Sequence, residues 1–396
     1  MSHNTYKIRD LFRIGGEAEF LVLHKDGIIV DSYFIARAPV RGFEKMLIGK
    51  NPIFAIEAAM RICGICHSAH GINAAEAIEN ALGIFPPPNG VILREIVGLL
   101  NRIQSHILHL ALITPDLVKP ELKMDAIRRE VDLLGMISNV LAKFGGAPSH
   151  PPNIVIGGVE SMPKQRYIDD SVKTLQQFKQ KFGELMEFFE NENNWSERAK
   201  ILAETEFRPK LLASHLYYGD QTNIDLNKIR TVSVEEFRGN NSIPKEAKGT
   251  TTLIALYGDE PVEVGPRARL ALFWGFNDRS LIGVQRARMR EITMGIERIL
   301  RLIDELDPTE PTKTTAVVFR RGKGISVFEA PRGLLIHYAE INAEGRISFY
   351  KIVVPTMFNI PIMEIASRGI PVECADVIPR LYDPCIPCAT HLVEVR

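Results

Sequence analysis

The sequence predicts an α+β fold: one large domain, residues 1–396, with a central helical bundle and peripheral strands. Three observations carry that expectation. Apolar, β-prone runs sit at both ends of the chain, long stretches of helical period fill the middle, and no repeat, low-complexity tract or linker divides them. In addition, two Cys-x-x-C units, Cys63/Cys66 and Cys385/Cys388, lie near opposite ends. If they share a metal, the two ends must meet in one body.

The elements follow in order. Residues 17–23 and 28–35 read as strands joined by a turn containing Lys25-Asp26-Gly27, a good hairpin signal. Residues 54–82 turn helical, interrupted by the first cysteine pair, and Pro86-Pro87-Pro88-Asn89-Gly90 is expected to stop them. Residues 91–113 place Ile92, Ile96, Leu99, Leu100, Ile103, Ile107 and Leu108 at helical spacing and are apolar on several sides, which predicts a buried helix. Residues 124–144 and 165–189 predict two more helices, the second with the mixed charge of a partly exposed one. Residues 201–257, broken by Gly, Pro and Asn, suit short strands and loops, and 280–306 form a long amphipathic helix. The last ninety or so residues are expected to return to strands, such as 334–341 and 347–354, before the second cysteine pair.

Composition bounds the function. The chain is 45% hydrophobic and 24% charged, ordinary for a globular protein long enough to bury a large core. Lys plus Arg equals Asp plus Glu, 48 each, so no net field draws it to nucleic acid or an acidic membrane. The most basic stretch, Arg320, Arg321 and Lys323, reads as a solvated loop. No apolar run of about 18 residues is present to predict a transmembrane helix, and the polar N-terminus lacks an apolar signal core, which weighs little for a chain whose partner could carry an export signal.

Five cysteines in so long a chain are a poor disulfide scaffold. Four thiolates in two Cys-x-x-C units instead suit a soft or borderline metal. Spacing alone favours a structural zinc, but structural zinc usually staples a short module, and ligands at opposite ends of the chain staple nothing local. The flanking residues discriminate. Arg61-Ile62-Cys63-Gly64-Ile65-Cys66-His67-Ser68-Ala69-His70 fits R-x-C-G-x-C-x-x-x-H, and Asp383-Pro384-Cys385-Ile386-Pro387-Cys388-Ala389-Thr390-His391 fits D-P-C-x-x-C-x-x-H. Together, in this order, they resemble the paired signatures of [NiFe]-hydrogenase large subunits, and the resemblance runs from about Arg13 to His391.

That resemblance implies reversible heterolytic cleavage of H2 at a nickel–iron centre whose iron carries CO and cyanide. Cys63 and Cys385 would be terminal nickel ligands, and Cys66 and Cys388 would bridge the two metals. His70, one helical turn beyond Cys66, would donate a hydrogen bond toward a thiolate. Glu329-Ala330-Pro331-Arg332-Gly333 resembles the segment that places an arginine over the open coordination site, and a guanidinium there can polarise H2 or hold a base. Val353-Val354-Pro355-Thr356 resembles the segment packed on the diatomic ligands, with Thr356 a donor to cyanide, and Asp116 and Asp383 match acids of the same canopy. For a lone Asp the ordinary reading is a cap or turn. Arg41-Gly42-Phe43-Glu44 resembles the stretch supplying a carboxylate to a second metal, usually magnesium, with His391 and the carbonyl of Ile352 as further ligands; the plain alternative for Glu44 is a surface ion pair.

One departure matters. The family's R-x-E-G-H, whose glutamate relays protons, is here Arg13-Ile14-Gly15-Gly16-Glu17, with Gly15 where the glutamate belongs. Either Glu17 takes over, since positions 15 and 17 of an extended strand share a face, or water does, or turnover is impaired. The remaining Cys374 reads as a buried apolar thiol and cannot hold an iron–sulfur cluster alone. An iron–sulfur small subunit and a further electron-acceptor subunit are therefore implied. The short chain looks closest to cytoplasmic, cofactor-coupled hydrogenases, including the F420-reducing kind. Family precursors are trimmed after the residue matching His391, so loss of Leu392-Val393-Glu394-Val395-Arg396 is expected, retention being the alternative. The rival reading is a non-catalytic hydrogenase-fold scaffold holding a structural metal.

Overall fold

The computed structural model describes residues 5–220 and 222–390, with backbone alone at 5–8 and 241. β1 (Thr5–Ile14), β2 (Gly16–Lys25) and β3 (Ile28–Ile35) form an antiparallel sheet in the order β1-β2-β3. Asp26 (φ 50°) and Gly27 (φ 80°) are both left-handed, as a two-residue turn matched to strand twist requires. Next come α1 (Phe43–Leu47), α2 (Pro52–Met60), α3 (His67–Leu82), α4 (Pro88–Leu117) and α5 (Lys123–Gly145). A small hairpin, β4 (Ile154–Val155) and β5 (Gly158–Val159), leads into α6 (Gln165–Glu190) and α7 (Glu197–Glu204). The broken stretch holds β6 (Ile229–Val232), α8 (Val234–Arg238) and β7 (Ile254–Tyr257), followed by α9 (Pro266–Trp274) and α10 (Gly283–Asp304). A second antiparallel sheet, ordered β10-β9-β8, comprises β8 (Gly322–Ala330), β9 (Gly333–Ile341) and β10 (Ile347–Val353). The chain closes with α11 (Pro355–Ala366), α12 (Val377–Leu381) and α13 (Ile386–Ala389).

α4 is the axis of the molecule. Its first two-thirds, with Ile96, Leu100, Ile103 and Ile107, belongs to the larger apolar cluster with α3, α5, α6, α10 and the second sheet; Ile113 and Leu117 enter a smaller cluster with the first sheet, α11 and α12. α11 likewise spans both, so neither cluster closes without the other. α4 is long and apolar enough to cross a membrane by length and composition, and 78% of its most apolar window is buried inside the protein. The second sheet lies on α3 at very close range: a Cβ at Gly322 or Gly324 would run into the carbonyls of Ala81 and Ala77 at 1.8 and 2.1 Å. Only glycine permits that approach.

Several elements differ from expectation. The proline run does not stand wholly outside a helix, because Pro88 takes the first position of α4, where a missing N–H costs nothing. α4 also runs past Ile113 to Leu117, with Pro115 in its last turn. β8 and α9 were not anticipated, and the last ninety or so residues are not chiefly strand. α11 escapes a periodicity reading because almost every side chain in Pro355–Ala366 is buried, so no polar stripe marks its outer face.

Candidate metal centre

The first cysteine pair lies where α2 gives way to α3. Cys66 caps α3, and the backbone N–H groups of Ile65 and Cys66 point at Cys63 Sγ, at 3.3 and 3.4 Å. The second pair opens α13, with Cys385 as its cap, and the Cys385 N–H donates to Thr356 Oγ1 at 3.0 Å. The sulfurs converge: Cys63–Cys385 and Cys66–Cys388 are each 3.3 Å apart, Cys385–Cys388 is 2.9 Å, and all four sulfurs lie within 4.8 Å of one another. A metal with bonds of ~2.3 Å to four tetrahedral sulfurs needs S···S separations of roughly 3.8 Å, the scale seen here.

All four thiols are buried. Cys63 is pushed well below the ordinary thiol range by hydrogen bonds from Cys385, Cys388 and Cys66. Cys66 is pushed well above it, chiefly through Cys385, and Cys388 is pushed up by burial. Four anions cannot share this space without a cation to balance them, so the donor set fits a multivalent metal with soft-ligand preference.

Non-local contacts bring the ends together. Gly15 pairs with Cys385 as an isolated parallel bridge: its N–H donates to Pro384 O at 3.1 Å, and its carbonyl accepts from Ile386 N at 2.7 Å. The Arg41 guanidinium donates to the carbonyls of Ile62 and Pro387, the residues immediately before Cys63 and Cys388, and so spans both cysteine loops.

On one side of the sulfurs stands Arg332, in the turn between β8 and β9. It donates through Nε to Asp383 O (2.5 Å) and through Nη2 to Asp383 Oδ1 (3.0 Å), and its buried Nη1 has no hydrogen-bond partner among the described residues. Burial opposes its charge, but Asp383 and then the thiols of Cys385, Cys66 and Cys63 hold it firmly protonated. Asp383 sits at φ 53°, and its Oδ2 has no partner among the described residues. Although burial disfavours its anion, Arg332 and then His109 hold its carboxyl well below the usual range. His109, pushed down to about 4 by burial and then Arg288, is neutral; Gln285 donates to its Nε2 at 2.5 Å, so Nδ1–H faces Asp383 at 3.4 Å. Behind the turn, buried Arg269 binds Glu291 (2.6 and 2.7 Å) and Glu329 (3.0 Å), and caps the carbonyls of Ala330 (2.9 Å) and Pro331 (3.2 Å).

On the other side, His70 Nε2 lies 3.5 Å from Cys388 Sγ, and its Nδ1 is 3.1 Å from His337 Nε2. His337 Nδ1 is in turn 2.8 Å from the Tyr350 hydroxyl. Tyr350 is pushed up by burial and then by the charge of Glu44, which places that buried carboxylate nearby on α1. Ile352, also buried, is paired with His337 across β9 and β10. His391, assigned to the same second metal, lies outside the described residues.

Two candidates do not join the centre. Gly15 occupies the turn between β1 and β2, Gly16 is at φ 92°, and the β1–β2 register shifts between Leu11 and Ile14. Positions 15 and 17 therefore do not share one extended strand: Gly15 lies on Cys385, while Glu17 is exposed beside Asp10, Phe12, Glu19 and Arg37. Glu17 is thus turned away from the thiols, and the shared-face expectation fails at the turn. Asp116 is engaged elsewhere, by Arg13 (2.9 Å), Arg380 (3.0 Å) and Arg198 (3.4 Å), tying the end of α4 to the first hairpin and α12. Pro355 opens α11, and Cys374 is buried in the smaller apolar cluster with its thiol pushed up to about 11 by burial. Sequence reasoning missed Arg269, His109, Gln285, His337 and Tyr350. None sits in a cysteine motif, and no spacing in the sequence marks any of them out.

Comparisons with known proteins agree on one family. The model for nickel-dependent hydrogenases matches residues 41–132 and 276–391. The coenzyme F420 hydrogenase subunit alpha of Methanocaldococcus jannaschii is 37% identical, the match covering 98% of this chain and 94% of that one. Its counterpart from Methanothermobacter thermautotrophicus is 34% identical over 96% and 93%. Sulfhydrogenase 1 subunit alpha of Pyrococcus furiosus is 27% identical, with 95% of each chain covered. The Ni-Fe-Se hydrogenase of D. vulgaris Hildenborough superimposes with a TM-score of 0.85 at 22% identity, covering 98% of this chain and all of that one, which speaks to the fold.

Proposed function

This chain belongs to the nickel-dependent hydrogenase family as a large, catalytic subunit, an oxidoreductase acting on H2, and from that premise we propose how its residues divide the work. The observation that carries the proposal is a buried four-sulfur cluster faced by Arg332, a held guanidinium with one donor left over. Cys63 and Cys385 would hold nickel, and Cys66 and Cys388 would be shared between nickel and an iron that, by resemblance, would carry CO and cyanide. When bound, that centre supplies the heterolytic splitting of H2. Arg332 aims its spare Nη1–H at the open side, Asp383 fixes the guanidinium plane, and Pro331, Pro355 and Thr356 line the diatomic ligands. Thr356 uses its oxygen lone pair on the Cys385 N–H, which leaves its hydroxyl proton to donate. His70 donates to a bridging thiolate. Glu44, the Ile352 carbonyl and His391 hold a second divalent ion, magnesium by resemblance.

Electrons leave through an iron–sulfur small subunit, and likeness to the coenzyme F420 hydrogenase alpha subunits supports a further acceptor subunit serving coenzyme F420 and a cytoplasmic setting. His391 becomes the mature C-terminus. The test is metal analysis of the purified complex together with H2/D+ exchange. One nickel and one iron per chain with exchange is the expected result. Zinc alone, without exchange, would establish the scaffold reading that Gly15 leaves open. A full-length mass for nickel-loaded, active protein would refute the trimming.

A further inference from the structure

The chain Cys388–His70–His337–Tyr350 has a direction. Each neutral imidazole offers one donor and one acceptor, so three hydrogen bonds through two imidazoles admit only two arrangements. In one, every proton points inward: Tyr350 O–H to His337 Nδ1, His337 Nε2–H to His70 Nδ1, and His70 Nε2–H to Cys388 Sγ. In the other, every proton points outward, starting from a Cys388 S–H. A metal-bound sulfur is a thiolate and has no proton to give, so only the inward arrangement survives loading. We propose that His337 and Tyr350 are positioning residues that fix the tautomer of His70, so that an N–H and never a lone pair faces Cys388. The inference rests on the reading of Cys388 as a metal ligand.

Four observations support it. The three links measure 3.5, 3.1 and 2.8 Å, and all four side chains are buried, so bulk water does not take over a role in the chain. The phenol brings the one O–H that an un-ionised tyrosine carries, and its oxygen lies within donating distance of His337 Nδ1. The rings are locked in place: His70 against His337 at 5.4 Å and 53°, and His337 edge-on to Tyr350 at 5.6 Å and 85°. Finally, Asn73, one turn beyond His70, donates to Leu335 O at 2.9 Å and holds α3 at this register on β9. A donor supported in this way withdraws charge from the sulfur, making it less basic and the metal easier to reduce.

The experiment uses the complete holoenzyme and reads two quantities, nickel content and the nickel midpoint potential from a redox titration followed by electron paramagnetic resonance. Tyr350→Phe keeps shape and removes the terminal donor. His337→Leu breaks the chain, and His337→Gln restores one donor and one acceptor. At unchanged nickel content, the potential is expected to move in the negative direction in His337→Leu, less so in Tyr350→Phe, and to return toward wild type in His337→Gln. Two results overturn the proposal. If His70→Leu shifts the potential while neither His337→Leu nor Tyr350→Phe does, His70 orients itself. If His70→Leu also leaves it unchanged, no hydrogen bond to the sulfur tunes the centre. An unmodified protein without nickel would sink the functional reading itself and this inference with it, recognisable because wild type is empty too.

Discussion

The two sides of the sulfur cluster are built on opposite plans. Both are buried, and both are ordered by a histidine held between hydrogen-bonding partners: His109 between Gln285 and Asp383, His70 between His337 and Cys388. On the Arg332 side the order ends in a charged pair whose outer atoms, Arg332 Nη1 and Asp383 Oδ2, have no partner among the described residues. On the His70 side it ends on a sulfur. An unpaired buried polar atom is costly, so a protein keeps one where a ligand will meet it. On the proposed function the contrast has a meaning: the first side would meet substrate, whereas the second would adjust the metal's own ligands.

The strongest way to break that comparison is Arg332→Lys. A lysine keeps the charge but cannot make the forked contact with Asp383 and still present a spare donor. H2/D+ exchange should fall by about 10²–10³-fold, the range for removing one oriented charge-stabilising donor, with nickel content unchanged. Equal exchange in the variant would mean that charge alone suffices and that the geometry of the pair is incidental.

Arg269→Met tests whether the turn carrying Arg332 is held from behind. It leaves Glu291 and Glu329 buried without their shared cation, and breaking a buried pair in this way costs about 3–5 kcal/mol. Denaturant unfolding should register that loss, and exchange should fall with it because the carbonyls of Ala330 and Pro331 are released.

Gly15→Glu sharpens the comparison from a third direction, by giving Cys385 a titrating neighbour that neither side provides. A Cβ at position 15 meets Cys385 Cα at 3.2 Å and Pro384 O at 3.3 Å, so a shift of a few tenths of an ångström admits it. Exchange should rise, at most by the roughly 10²-fold at the low end of what a positioned base contributes. Glu17→Gln should leave exchange unchanged, since that carboxylate faces outward; a loss would restore Glu17 as a relay.

The smallest effect is one of pH. Burial lowers His109 to about 4 and His106 to about 3, both from 6.5. Above pH 6.5 both states are neutral and nothing changes. Below it the unfolded chain takes up protons that the folded one refuses, so stability falls as pH drops from 6.5 toward about 4. Asp383, held well below the usual carboxylate range, adds to the same loss only below about pH 5, where the unfolded carboxylate begins to take up protons. The slope should flatten in His109→Gln, measured by denaturant midpoints between pH 4 and 7; an unaltered slope would assign the acid sensitivity elsewhere.

Much of this was legible in the sequence. The first hairpin, α3, α5, α6 and α10 all carry strong periods or turn signals, and the structure places them within a residue or a few of expectation. α9 and α11 were not legible: the first is short, and the second is buried on nearly every face, so its pattern has no phase. Within the centre, the cysteines and Arg332 were marked by motifs. Arg41 was noticed only as a neighbour of Glu44, because its real partners, the carbonyls of Ile62 and Pro387, are backbone atoms that leave no trace in residue identity.

What the sequence determined by itself was the chemistry: four thiolates in two spaced pairs, an arginine and an aspartate to face them, and a glycine where a base would be. Which groups touch was decided only in three dimensions. Glu17 turned outward because a left-handed Gly16 and a register shift reverse the chain between it and Gly15. Asp116 went to three arginines from distant elements, and His70 acquired its orientation from β9 and β10. A local period reports which face of an element is apolar. A hydrogen bond between residues hundreds of positions apart depends on how whole elements pack, and that information is spread over the entire core.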